Sequence, residues 1–402
     1  MTQRARRQIM TPILLPILAT GLLVQATVPL ARILTTYAAL DAGFGPKVIG
    51  FLSAAFAILP VLLTVLLGRF NDRGGAKGAA LAGSVGLLIA CLALWLLPPS
   101  LPGLLAATAV LGIAQTLVLA SMQLLISRSS SRMHRDAMLG NYMVAISLGQ
   151  AVGPLFLGAT EGQNHGAAIP VLGAALLVLA ILRLMRVAPS RKRAKDQAEI
   201  PLSQIAATPG LPWLILLGSI CVASQDLILA FLPLLGMERG IAPATIGILL
   251  SLRAGAAMVS RICFSRAVRL LGRGRLLLVA TLLGGVGLLG ISLPLPVWGL
   301  ATGLALTGFG VGIALTSTVS LTMVIAPPAA RGTALSLRLT ANRIAQFTIP
   351  IIAGVAVGSF GAAGVMGVSG AALMTATLMA PRAFRGKSSE TEPGRSPAQD
   401  MR

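Results

Sequence analysis

Long apolar runs built from Leu, Ile, Val, Ala and Gly fill this chain from end to end, and short clusters of Arg, Lys, Asp, Pro and Gly separate them. A bilayer hydrocarbon core about 30 Å thick is crossed by roughly 20 helical residues. Measured with that ruler, the pattern predicts twelve membrane helices, over residues 11–37, 46–68, 78–97, 101–126, 138–160, 167–187, 211–236, 243–264, 275–295, 297–325, 333–357 and 361–380. Pro and Gly fall inside several of these runs, which membrane helices tolerate when neighbouring helices satisfy the freed backbone groups. The fold class expected is an all-α integral membrane protein of twelve transmembrane helices in two pseudo-symmetric six-helix bundles.

The division into two follows from punctuation and from repetition. The longest polar interruption carries Arg191-Lys192-Arg193-Ala194-Lys195 and lies between the sixth and seventh runs. The expected organisation is an N-terminal half over 1–187, a cytosolic linker over 188–210, a C-terminal half over 211–380 and a disordered polar tail over 381–402. Gly43, Pro46, Ile49-Gly50 and Leu52 recur as Gly240, Pro243, Ile246-Gly247 and Leu249 at an offset of 197. A second set, Arg135, Leu139, Gln150, Pro154 and Gly158, recurs as Arg331, Leu335, Gln346, Pro350 and Gly354 at an offset of 196. Two independent matches at nearly one offset indicate a duplicated six-helix unit, with a substrate site expected between the halves near the midplane.

Composition agrees with the pattern. At 402 residues, 55% hydrophobic and 11% charged, the chain lacks the polar surface of a soluble globule. A net charge of +21 would suggest nucleic acid in a soluble protein, but aromatics are only 4% and the basic residues stand beside apolar spans, so no nucleic-acid partner is expected. About 26 of the 32 Lys and Arg belong to the side of the N-terminus, while the opposite loops hold Lys47 and Arg239. By the bias of basic residues toward the cytosol, both termini and the linker are cytosolic and the charge contacts anionic lipid headgroups. The N-terminus reads as uncleaved, because the run behind Arg4, Arg6 and Arg7 is too long for a signal peptide. Single cysteines at positions 3, 194 and 388 should therefore be protected from a membrane-impermeant thiol reagent outside intact cells, and one at position 164 should react. Labelling of position 194 from outside would overturn the orientation. Cys91, Cys221 and Cys263 are isolated within apolar stretches and read as buried small residues.

Two segments carry sharper signals. Gly68-Arg69-Phe70-Asn71-Asp72-Arg73-Gly74-Gly75-Ala76-Lys77 packs four charges and three glycines between two apolar runs. It resembles the loop signature between helices 2 and 3 of the major facilitator superfamily, carried here by Gly68, Asp72, Arg73, Gly75 and Lys77. Gly140, Gly149, Gly153, Pro154 and Gly158 resemble the helix-5 signature of that superfamily's antiporter branches; physically, such small residues let helices approach closely and the proline bends its helix. The resemblance implies that Asp72 holds the outward-facing state by meeting a helix N-terminus, and it tilts the direction toward efflux. The chain departs from the drug/proton branch at Thr108, four residues before Gly112, where that branch usually carries an arginine. It also departs at Arg269, which stands where the first half has Asp72.

Ionisable residues inside spans are costly and are functional candidates by default. Arg32, Asp226, Arg253 and Arg343 qualify, together with Arg338, which could snorkel to the cytosolic end. Asp226 either binds a proton or pairs with an arginine across the cavity. Gln25, Gln115, Gln150, Gln225, Asn342 and Gln346 could line a polar path. With no phosphate-cradling Gly-Lys-Ser/Thr loop and only His134 and His165, both placed in loops, the chain reads as no enzyme and as needing no cofactor or metal. The function expected is secondary active transport of a small organic solute, as proton-coupled efflux by a monomer in a bacterial-type inner membrane. Uptake or exchange of an anionic metabolite is the alternative, and a non-transporting membrane sensor or scaffold a remote one.

Overall fold

The computed structural model describes residues 3–70, 75–129, 132–160, 168–185, 208–326 and 331–379. Described in order are α1 (Gln3–Asp41), α2 (Pro46–Phe70), α3 (Ala76–Leu96), α4 (Leu101–Ser129) and α5 (Arg132–Val152), then a 3-10 helix (Gly153–Thr160) and α6 (Ala168–Leu184). The second half holds α7 (Leu211–Glu238), α8 (Pro243–Leu271), α9 (Arg273–Ser292), α10 (Val297–Ile325) and α11 (Arg331–Met379). Among the described residues, nine helices are long and apolar enough to cross a membrane, and α6 contributes a shorter apolar helix, Ile169–Leu184.

Several expected boundaries move, each for a local reason. The fifth run begins earlier, at Arg132, so His134 lies in a helix rather than a loop; its α-helix stops at Val152 and tightens into the 3-10 turn. Pro154 lacks an N–H and crowds the carbonyl four residues back, which ends α-helical bonding at that point. The eleventh and twelfth runs are joined in α11 and break at Gly361, whose φ of 67° and ψ of 173° are left-handed values suited to glycine. The linker expected over 188–210 lies outside the described residues as far as position 207, and so does the tail over 381–402.

The molecule's outer surface is apolar. Leu15, Leu62, Trp298, Ile352 and Leu378 are between 64% and 72% exposed, a distribution that suits acyl chains and would cause aggregation in water. Inside, lipid tails compete with side chains on equal terms, so helices associate by close packing of small residues rather than by burying apolar area. Accordingly α3 pairs with α4, α9 with α10, α1 with α5, and α7 with α11.

The contacts that join the halves use the repeated residues of the sequence. A Cβ at Gly50 of α2 would meet the Pro350 carbonyl oxygen and stand 2.9 Å from Gly354 Cα on α11. A Cβ at Gly247 of α8 would meet the Pro154 carbonyl oxygen and stand 3.1 Å from Leu157 Cβ in the 3-10 helix. Each repeat of the first set thus meets the opposite half's copy of the second. A like correspondence holds within the halves: Gly112 of α4 lies against the Phe56 carbonyl, and Gly308 of α10 lies against the Arg253 carbonyl. Phe56 and Arg253 therefore occupy matching places in α2 and α8.

Candidate functional site

Between the halves lies a cavity of about 510 Å³, lined by side chains of α1, α2, α4, α5, α7, α8 and α11 and by Pro154. Apolar walls come from Val28, Leu119, Leu229 and Leu250, and the polar groups converge on one carboxylate. Arg32 on α1 places Nη1 2.6 Å from Oδ1 of Asp226 on α7, an ion pair whose side chains are 9% and 11% exposed. Its Nη2 donates to Ser53 Oγ at 3.0 Å, and its guanidinium carbon stands 4.3 Å above the centre of the Phe56 ring. Cation–π contact of that kind helps hold a partly desolvated arginine.

The carboxylate's second oxygen is also engaged. Gln346 on α11 donates from Nε2 to Asp226 Oδ2 at 2.6 Å, and Arg343 donates from Nη1 to Gln346 Oε1 at 3.1 Å. Arg343 Nη2 donates to Thr116 Oγ1 on α4 at 3.5 Å, so the network runs from the second half back to the first. Gln115 donates to Gln25, joining α4 to α1 along the same wall. Arg253 on α8 lines the cavity at 9% exposure, and its Nε has no hydrogen-bond partner among the described residues. The described lining thus holds three guanidiniums against one carboxylate.

The sequence candidates divide accordingly. Arg32, Asp226, Arg253, Arg343, Gln25 and Gln115 all line the cavity, as do Gln150, Gln225 and Gln346. Asn342 does not; it is buried and accepts a hydrogen bond from Ser219 Oγ at 3.2 Å, tying α11 to α7. Arg338 does not snorkel outward. It is 4% exposed and donates from Nη2 to Thr318 Oγ1 at 3.1 Å, because its position in α11 faces α10 rather than the helix end. In the loop signature, Gly68 lies near the end of α2, Gly75 caps α3 and Lys77 lies in its first turn, while Asp72 and Arg73 lie outside the described residues.

In the helix-5 signature, Gly149 and Gly153 lie against the α1 backbone at Leu22 and Ala26. Gly158 reaches α8, where a Cβ would stand 3.3 Å from Ala244 Cβ; Gly140 faces open space. Ser53, Phe56 and Thr116 were not singled out from the sequence. For Ser53 and Thr116 no sequence signal exists, whereas the offset of 197 sets Phe56 against Arg253 and could have found it.

Among the described residues, an apolar exterior surrounds a charged cavity lined by helices from both the earlier and the later part of the chain. The sequence model of the Major Facilitator Superfamily matches residues 13–240 and 214–400, and the chain belongs to that family. Solute carrier family 67 member A1 of Homo sapiens is 36% identical over 162 residues, which cover 38% of this chain and 37% of that protein. The chain thus matches little more than a third of that relative's length. Among solved structures, a POT family transporter in complex with 5-aminolevulinic acid superposes with a TM-score of 0.77 at 16% identity, covering 92% of this chain and 96% of that one. The nucleoside transporter NupG gives 0.76 at 12% identity over 93% and 100% of the two chains, and a D-xylose-proton symporter gives 0.73 at 16% over 93% and 97%. Likenesses at this identity establish a shared fold.

Proposed function

We propose that this chain is a twelve-span, multi-pass secondary active transporter that moves a small organic solute by alternating access, with protons as the coupling ion. The observation that carries the reading is the Arg32–Asp226–Gln346 bridge, which spans the cavity and depends on a single titratable carboxylate. With Asp226 ionised, the pair draws α1 of one half to α7 of the other. Protonation removes the negative charge, so Arg32 keeps Ser53 and Phe56 but loses its ionic partner, and the halves are freed to rearrange. The groups facing Asp226 that would feel this change are Arg32, Arg253, Arg343 and Gln346.

Close glycine contacts bind the halves near the start of α2 and of α8, while lining residues such as Val61, Gln123 and Leu339 lie toward the basic ends of α2, α4 and α11. That distribution supports a conformation sealed at the end away from the basic helix ends; the bias of basic residues supports placing both termini in the cytosol, and the proposal takes the protein as a monomer of a cell's inner membrane. The helix-5 signature favours export in exchange for protons as the direction.

Purified protein in proteoliposomes tests the reading. Solutes that raise its melting temperature are supplied with a pH gradient imposed in either sense. The expected result is protein-dependent flux whose direction follows the gradient. If solutes that bind show no flux above protein-free liposomes, the chain is a receptor or scaffold and the proposal fails.

A further inference from the structure

Phe56 and Arg253 stand at matching places in the two halves, each with its carbonyl against a glycine of the neighbouring helix, Gly112 or Gly308. Their side chains meet opposite fates. Phe56 has a cation over its ring, supplied by Arg32. The residue of α7 that matches Arg32 at the offset of 197 is Leu229, an aliphatic side chain that lines the same cavity and can offer Arg253 neither charge nor hydrogen bond. Asp226 is within electrostatic reach, but both of its oxygens are engaged by Arg32 and Gln346. A guanidinium that is nine-tenths buried, with its Nε unpartnered, needs an anion or a set of acceptors to offset its desolvation.

We propose that Arg253 is the anchor for an oxyanion group of the transported solute, and that the substrates are small organic acids with an apolar body. The inference rests on reading the cavity as the transport site and adds the substrate class. Arg253 supplies a planar fork suited to a carboxylate. Arg343, which lines the same cavity and is held by Gln346 and Thr116, adds a second positive charge without being free to take the whole interaction. Leu229, Leu250 and Val28 give the remainder of the molecule an apolar surface. A cavity of about 510 Å³ accommodates a body of metabolite or drug size.

The test uses the full chain in detergent and a set of medium-chain and aryl-substituted carboxylates, each beside the amide and the amine of the same body. The carboxylates are expected to raise the melting temperature while the amides and amines do not. Arg253→Gln should weaken carboxylate binding by roughly thirtyfold or more, as loss of one partner of a desolvated charge pair does. Arg253→Lys should fall between, keeping the charge and losing the fork, and Arg266→Gln, an exposed position on the same helix, should bind as the unchanged protein does.

Equal stabilisation by amides or amines, no carboxylate that binds, or carboxylate affinity unchanged in Arg253→Gln would each overturn the proposal. Flux in proteoliposomes separates its failure from that of the transport reading. Carboxylates that bind at Arg253 without being moved sink transport and leave the anion site, and movement of neutral solutes alone does the reverse.

Discussion

Asp226→Asn is expected to abolish uphill accumulation of solute while leaving exchange of solute down its own gradient measurable. Asparagine matches the shape of the carboxylate and can still accept from Gln346, but it can neither ionise nor take up a proton at neutral pH. Arg32 is then left as a buried cation, with Ser53 and the Phe56 ring as its remaining partners. Breaking a buried pair by removing one partner costs about 3–5 kcal/mol, so the melting temperature should fall together with coupling.

Two comparisons separate these effects. Arg32→Gln combined with Asp226→Asn removes both charges and should regain much of the lost stability without regaining accumulation, since no titratable group remains at the bridge. Asp41→Asn, at the exposed end of α1, should change neither. Proton-driven accumulation that persists undiminished in Asp226→Asn would reduce the carboxylate to a structural tie and place coupling elsewhere.

Gly50→Leu is expected to trap the protein away from the conformation described here and to stop transport. The new Cβ would run into the Pro350 carbonyl and the Gly354 backbone, neither of which is a flexible side chain able to swing aside. Overpacking of this kind costs about 1–3 kcal/mol in a well-packed interior. A bias of about 2.7 kcal/mol already shifts a two-state population a hundredfold. The strain is relieved if the halves part at this end, so the cavity should become reachable from the outer side. A cysteine at Gln225, in a background lacking Cys91, Cys221 and Cys263, should then react faster with an impermeant maleimide added outside intact cells. Gly247→Leu should act alike, because it would press on the Pro154 carbonyl in the matching contact. Gly255→Leu, which faces open space on α8, is the control. Unchanged reactivity and unchanged transport in both clasp variants would show that these contacts do not hold the halves together.

Read without coordinates, the chain disclosed a great deal about its fold. Apolar run length alone marks the helices, since a bilayer demands a fixed span and leaves no backbone group unsatisfied. The recurrence of Ile49-Gly50 as Ile246-Gly247, and of Pro154 as Pro350, marked two related halves. Buried charge is so costly in lipid that Arg32, Asp226, Arg253 and Arg343 stood out as candidates by their position within apolar runs.

Helix ends were less legible. Where proline or glycine punctuates a run, hydrogen bonding decides whether the chain tightens, as after Val152, or turns, as at Gly361. Partnership was not legible at all. Nothing in the order of residues says that Asp226 takes Arg32 and Gln346 rather than Arg253, or that Asn342 faces Ser219 while its neighbour Arg343 faces the cavity. Successive helical residues point about 100° apart, and only the rotation and crossing of packed helices choose which of them meet. Sequence by itself determined a duplicated helical membrane protein and its few expensive charges. Tertiary structure alone decided which charge is paired and which, among the described residues, has no hydrogen-bonding partner, because pairing across the cavity depends on side chains about 194 positions apart being brought within 2.6 Å by the packing of helices distant in the chain.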